Sequence, residues 1–162
     1  MGAADFDHVF RHVYEVVEAD IDFLGHASNI AYLRWVQDVA VAHSEAVGLD
    51  HAAYVRAGGL FIIRRSEIDY LRPTLRGDKL EVRTWIGSIH AAKCERITEI
   101  ERVADGTIVA RATTIWGYID AKTGRPTRIP GALRTAFQQP LLRGRQGAQF
   151  ADTEVALENE HE

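Results

Sequence analysis

The stretch "EADIDFLGHASNIAYLRW", residues 18–35, sets two aspartates, a glycine, a histidine and an asparagine directly ahead of an apolar periodic run. From about Ser28 to Val47 the pattern is helical: Ile30, Leu33, Val36, Ala40, Ser44 and Val47 recur at three- and four-residue steps, and Tyr32, Val39 and Ala46 widen the stripe. Ser28 or Asn29 suits the N-cap, and Gly48 suits the left-handed residue past the end. So broad a stripe predicts a helix packed on more than one side.

Working outward, "HVFRHVYEVVEAD" (8–20) is β-branched and aromatic and predicts a first strand ending near Asp20. A second short helix fits "DHAAYVRAG", capped by Asp50 and stopped by Gly58. Strands are then expected over 60–71, 79–89, 92–103 and 107–120, the last two joined through Asp105-Gly106, a strong hairpin signal. In the second of these, Leu80, Val82, Thr84 and Ile86 alternate with Lys79, Glu81, Arg83 and Trp85. A short helix is expected over 130–139. Strand, long helix and antiparallel meander make one α+β domain over residues 1–140, with 141–162 a polar, flexible tail.

Composition narrows the class. With 46% apolar and 26% charged residues, the 162-residue chain is typical of globular proteins and large enough for a real core. A net charge of −4 argues against a general nucleic-acid binder. The single cysteine, Cys94, excludes an internal disulfide and fits a reducing cytoplasm; in a predicted strand with no signature around it, it packs rather than reacts. No apolar run approaches the ~18 residues of a membrane helix, the start lacks a signal-peptide pattern, and Phe6 stands where myristoylation wants Ser or Thr.

Four chemistries compete for the opening stretch. Acids, Ser and Asn crowd helix starts for backbone reasons alone. "DIDFLG" begins like a calcium loop, but Leu24 and Ala31 occupy positions that need oxygen ligands, and no metal is expected. No G-x-S-x-G elbow, P-loop or dinucleotide fingerprint exists, and "IGSIH" around Ser88 lacks the second Gly. The fourth reading, beside capping alone, is acyl transfer or hydrolysis. A helix N-terminus offers unpaired N–H groups and about half a positive charge to a developing oxyanion. Asp22 supplies a nucleophile or base, and Gly25 permits the turn and a close substrate approach.

"ADIDFLGHASNIAYLRWVQD" resembles the N-terminal signature of hotdog-fold acyl-CoA thioesterases of the 4-hydroxybenzoyl-CoA thioesterase-like group. Asp20, Asp22, Gly25, His26, Asn29, Tyr32 and Leu33 sit at the positions of D-x-D-x-x-G-H-x-x-N-x-x-Y-L. Tyr70, Pro73, Gly77 and Asp78 match the Y-x-x-P and G-D elements, and "ATTIWGYIDAKTGRPTRIP" resembles the last strand and its turn. The likeness spans roughly residues 8–138 in order. One departure is "HASN", with Ser28 where many relatives carry a first asparagine.

The resemblance implies a hotdog fold, an antiparallel sheet wrapped around one long helix. It implies a homodimer, or a tetramer, with active sites at the subunit interface and no cofactor. Asp22 would be the catalytic carboxylate and the N–H near Asn29 the oxyanion donor. His26 would orient a water or the thioester, and Gly25, Ser28 and Tyr32 would line the substrate. Acyl-CoA is the implied substrate, so Arg64, Arg65, Arg72, Lys93 and Arg96 are candidates for its phosphates, while Trp35, Trp85 and Trp116 fit core or interface. Rivals are a hotdog dehydratase, whose His and carboxylate context is absent, and a non-catalytic acyl-CoA sensor, which Asp22 argues against.

Overall fold

Ser28 starts the long helix α1 (Asn29–Ala46): its backbone is extended and its Oγ accepts the Ala31 N–H at 3.3 Å. The computed structural model describes residues 6–142 of the chain. Strands β1 (Phe6–Asp7) and β2 (Phe10–Glu15) precede α1, and α2 (His51–Ala57) follows it. Then come β3 (Gly59–Tyr70), β4 (Lys79–His90), β5 (Lys93–Arg102), β6 (Thr107–Asp120), α3 (Gly131–Phe137) and β7 (Leu141–Leu142). The expected α2 caps are both in place, with Asp50 Oδ1 accepting the Ala53 N–H and Gly58 left-handed at φ +76°.

The antiparallel sheet runs β2-β4-β5-β6-β3, and β1 pairs separately with β7. Leu141 and Leu142 therefore pair with Asp7 and Phe6, and the rest of the expected tail lies outside the described residues. Strict alternation builds one face. Leu80 and Val82 on β4, Ile100 on β5 and Ala110 and Ala112 on β6 pack with Trp35, Val36 and Val39 of α1 in one core cluster. Each large side chain so buried contributes about 1.5–3 kcal/mol. Register shifts at Ile63/Arg65, Ile86/Ser88 and Ile100/Glu101 bend the sheet around the helix, the hotdog arrangement.

Two expectations are corrected. The first strand stops at Glu15, because Asp20 Oδ2 accepts the Val17 N–H at 2.9 Å and Glu18–Asp20 close into a 3₁₀ turn. The buried helix face is also rotated from the expected stripe: Ala31, Trp35, Ala42 and His43 are inside, whereas Ile30 is 76% exposed and Leu33 43%. No described helix is long and apolar enough to cross a membrane.

Candidate active site at the start of helix α1

The two aspartates of the opening stretch do different work. Asp20 is 3% exposed, and both its oxygens are engaged, Oδ2 by Val17 N–H and Oδ1 by the Arg34 guanidinium. Its carbonyl accepts the Ser28 N–H at 2.8 Å, which fixes the approach to α1. Asp22 sits two residues on, in a loop closed by its own N–H donating to the His26 carbonyl at 3.0 Å. Gly25, at φ +80°, makes the reversal. Asp22 Oδ1 accepts the Leu24 N–H at 2.9 Å, and Oδ2 takes no partner among the described residues.

The helix end beside this loop carries spare donors. Ser28 satisfies the N–H groups of Ala31 and Tyr32, while those of Asn29 and Ile30 have no acceptor among the described residues. Asn29 and His26 are exposed, and the surrounding surface is apolar, with Phe23 95% and Leu24 66% exposed. A carboxylate with one unengaged oxygen thus shares a loop-and-helix-start motif with unpaired N–H donors.

Tyr32, expected to line the substrate, is buried and hydrogen-bonded to the 72–74 segment. It is 3% exposed; its hydroxyl shares a hydrogen bond with Thr74 Oγ1 and donates to the Arg72 carbonyl. The Thr74 carbonyl in turn accepts the Ala27 N–H, so the 72–74 segment ties helix and loop together.

The basic candidates divide by strand parity. Arg64, Arg65 and Lys93 line a hollow of about 420 Å³ on the sheet face away from α1. Gly117 lies under Arg64, where a Cβ would come within 3.1 Å of Arg64 Nε. Arg65 also pairs with Glu67. Arg96 does not join them: it faces the helix side and is 3% exposed. Its guanidinium bonds His43 Nδ1 at 2.9 Å and Thr84 Oγ1 at 3.1 Å. His43, 1% exposed, was not anticipated as a polar partner; the signal available was a charged residue in the inward register of Cys94, Arg96, Thr98 and Ile100. Cys94 is buried, which pushes its thiol up to about 11, a packing residue.

Comparison with known proteins agrees with this fold. The chain is 26% identical over 135 residues to an acyl-[acyl-carrier-protein] hydrolase, FATB1, of Cuphea viscosissima, covering 78% of this chain and 32% of that protein. It spans about a third of the length of the curated relatives it first matches. The fold superposes on a 1,4-dihydroxy-2-naphthoyl-CoA thioesterase from Synechocystis with a TM-score of 0.73, at 22% identity over 80% of this chain and 95% of the other. It superposes on the hypothetical protein SAV2348 from Staphylococcus aureus, determined in complex with CoA, with a TM-score of 0.77, at 19% identity over 87% and 92%. The family model of the thioesterase-like superfamily matches residues 16–137, most of the described domain, and the chain belongs to that superfamily.

Proposed function

We propose that this chain hydrolyses an acyl-CoA thioester to the free carboxylic acid and the CoA thiol, with Asp22 as nucleophile or general base. The observation that carries the reading is the division of labour between the aspartates: Asp20 is spent on structure, while Asp22 keeps a free oxygen beside an uncapped pair of helix N–H groups. As Asp22 attacks the carbonyl or draws a proton from water, charge develops on the thioester oxygen. The Asn29 and Ile30 N–H groups, with the helix dipole, stabilise it; one such donor is worth about 3 kcal/mol. Collapse expels the CoA thiolate, which takes a proton, and water supplies the acid's second oxygen. His26 orients the water or the thioester, with Gly25 and Ser28 shaping the approach.

Arg64, Arg65 and Lys93 suit the phosphates of CoA, because three cations surround one hollow. A second copy of the chain completes the site. Among the described residues strand β3 pairs only with β6 and leaves its other, twelve-residue edge unpaired, and Phe23 and Leu24 in the Asp22 loop and Ile30 at the helix start stand exposed. The lone cysteine fits a cytoplasmic setting.

The test follows thiol release from short, medium, long-chain and aromatic acyl-CoAs for the wild type and Asp22→Asn. Turnover by the wild type with at least a hundredfold loss in the variant, about 2.7 kcal/mol of barrier, supports the assignment. Tight acyl-CoA binding by both without hydrolysis replaces it with a sensing role.

A further inference from the structure

One recess of the described domain lies far from Asp22. It is a cavity of about 470 Å³ between the C-terminal half of α1, α2 and the starts of β3 and β5, lined by Ala40, Tyr54, Phe61, Arg96, Trp116 and Phe137 among others. That volume is in the range of small-molecule pockets, about 300–1,000 Å³. At 1.5 Å rise per residue, the α1 residues that line it lie about 16–24 Å along the helix from Asn29. Tyr32, Trp35, Val36 and Val39 fill the core between. A short acyl group held at Asp22 does not reach this chamber within one protomer.

Much of the chamber wall is apolar, with Ser44, Glu45, Asp50 and His51 as polar exceptions, and one cation, Arg96, is built into it. No carboxylate pairs with the Arg96 guanidinium among the described residues; its contacts are His43 Nδ1, Thr84 Oγ1 and the Phe137 ring, 5.6 Å from the guanidinium carbon. Arg96 Nε is buried without a partner, and so is Nε1 of Trp116, which lines the same chamber. Both orphans are donors. Isolated buried cations are costly unless an anion or acceptors meet them. Glu45 and Asp50 also line the chamber but are solvent-exposed, so they sit at its mouth and disfavour a ligand that is anionic at its outer end.

We propose that this chamber is a second binding site, taking a small amphipathic organic acid with its carboxylate inward on Arg96 and its apolar body against Tyr54, Phe61 and Phe137. Burial lowers the Arg96 pKa only to about 10, so the guanidinium is charged at neutral pH. The carboxylate belongs either to a free acid or to the far end of an acyl group whose thioester lies at a second copy's Asp22. The site itself does not depend on the hydrolase reading; only the choice between those two sources does.

Calorimetric titration with octanoate and with 1-octanol tests the site on the whole chain. Octanoate is expected to bind once per chain, at least tenfold more tightly than 1-octanol. Arg96→Met should abolish that preference and Arg96→Lys restore part of it. Ala121→Phe, a substitution at an exposed lining position, should weaken both ligands without touching the core. No binding by the wild type, equal binding of acid and alcohol, or unchanged octanoate binding by Ala121→Phe overturns the proposal. Hydrolysis of suberyl-CoA against octanoyl-CoA then separates the sources. A tenfold preference for suberyl-CoA that Arg96→Met removes places the carboxylate on the acyl group. Octanoate binding with no such preference assigns the site to a free acid.

Discussion

The Tyr32 hydroxyl and Thr74 Oγ1 meet at 3.0 Å in the interior, 42 residues apart in sequence, and the Thr74 carbonyl holds the Ala27 N–H of the Asp22 loop. Tyr32→Phe removes the bond and leaves the buried Thr74 hydroxyl without this partner. The expected loss is about 1–3 kcal/mol of stability. Because the ring stays in place against Trp35 and Tyr70, the helix survives and the loop loosens. Urea unfolding should show the lower midpoint, and thiol release a lower kcat with little change in KM. Unchanged values for both mean that the 72–74 segment does not support the loop.

Ser28 separates stability from chemistry. Ser28→Ala loses the cap to Ala31 and should destabilise the fold by about 1 kcal/mol. Ser28→Asp keeps a cap and should hold stability close to wild type. It also puts a negative charge beside the donors proposed to meet an oxyanion, so its kcat should fall more than that of Ser28→Ala. Equal kcat values for the two variants would falsify the placement of the oxyanion at this helix end.

Two adjacent glycines should respond for different reasons. At Gly59 an added Cβ would lie 2.5 Å from the Tyr118 ring and 2.7 Å from the Ile119 carbonyl, at a position with ordinary backbone angles. Gly59→Ala must therefore move backbone on the β3–β6 pair, costing about 1–3 kcal/mol. At Gly58 there is open space but φ is +76°, so Gly58→Ala costs about 1–2 kcal/mol through strain alone. Thermal melts rank the two, and a Tyr118→Ala background should relieve Gly59→Ala in part, the Ile119 carbonyl remaining in the way, and leave the cost of Gly58→Ala unchanged.

Much of the architecture was legible because alternation and capping are local. The inward register of Leu80, Val82 and Thr84, the Asp50 and Gly58 stops of α2 and the Asp105-Gly106 hairpin depend on neighbours in sequence. The candidate site was legible only in outline. Asp20 and Asp22 are the same residue type two apart, and what distinguishes them, Arg34 and the Val17 N–H on one side and solvent on the other, exists only after folding. Arg96 was grouped with surface cations by residue type, although its register with Cys94 and Thr98 pointed inward. Tyr32 matches a motif position, but its buried bond to Thr74, 42 residues along the chain, exists only after folding.

His43 should dominate the acid side of the stability profile. Arg96 can only donate, so His43 Nδ1 accepts, and the ring is stacked on Phe10 and set edge-on to Phe137. Burial first, and the Arg96 charge second, lower its pKa to about 3 from an ordinary 6.5. The unfolded chain therefore binds a proton that the folded chain refuses between those values. The stability this contributes is fully present above about pH 6.5 and is lost as pH falls toward 3, at up to about 1.4 kcal/mol per pH unit. His43→Gln keeps an acceptor for Arg96 and removes the titration. Urea unfolding of both proteins between pH 7 and 5 should show the wild type losing stability faster, with the gap widening by about 1–2 kcal/mol across the interval. Parallel curves mean that His43 takes up its proton in the folded state as readily as in the unfolded chain.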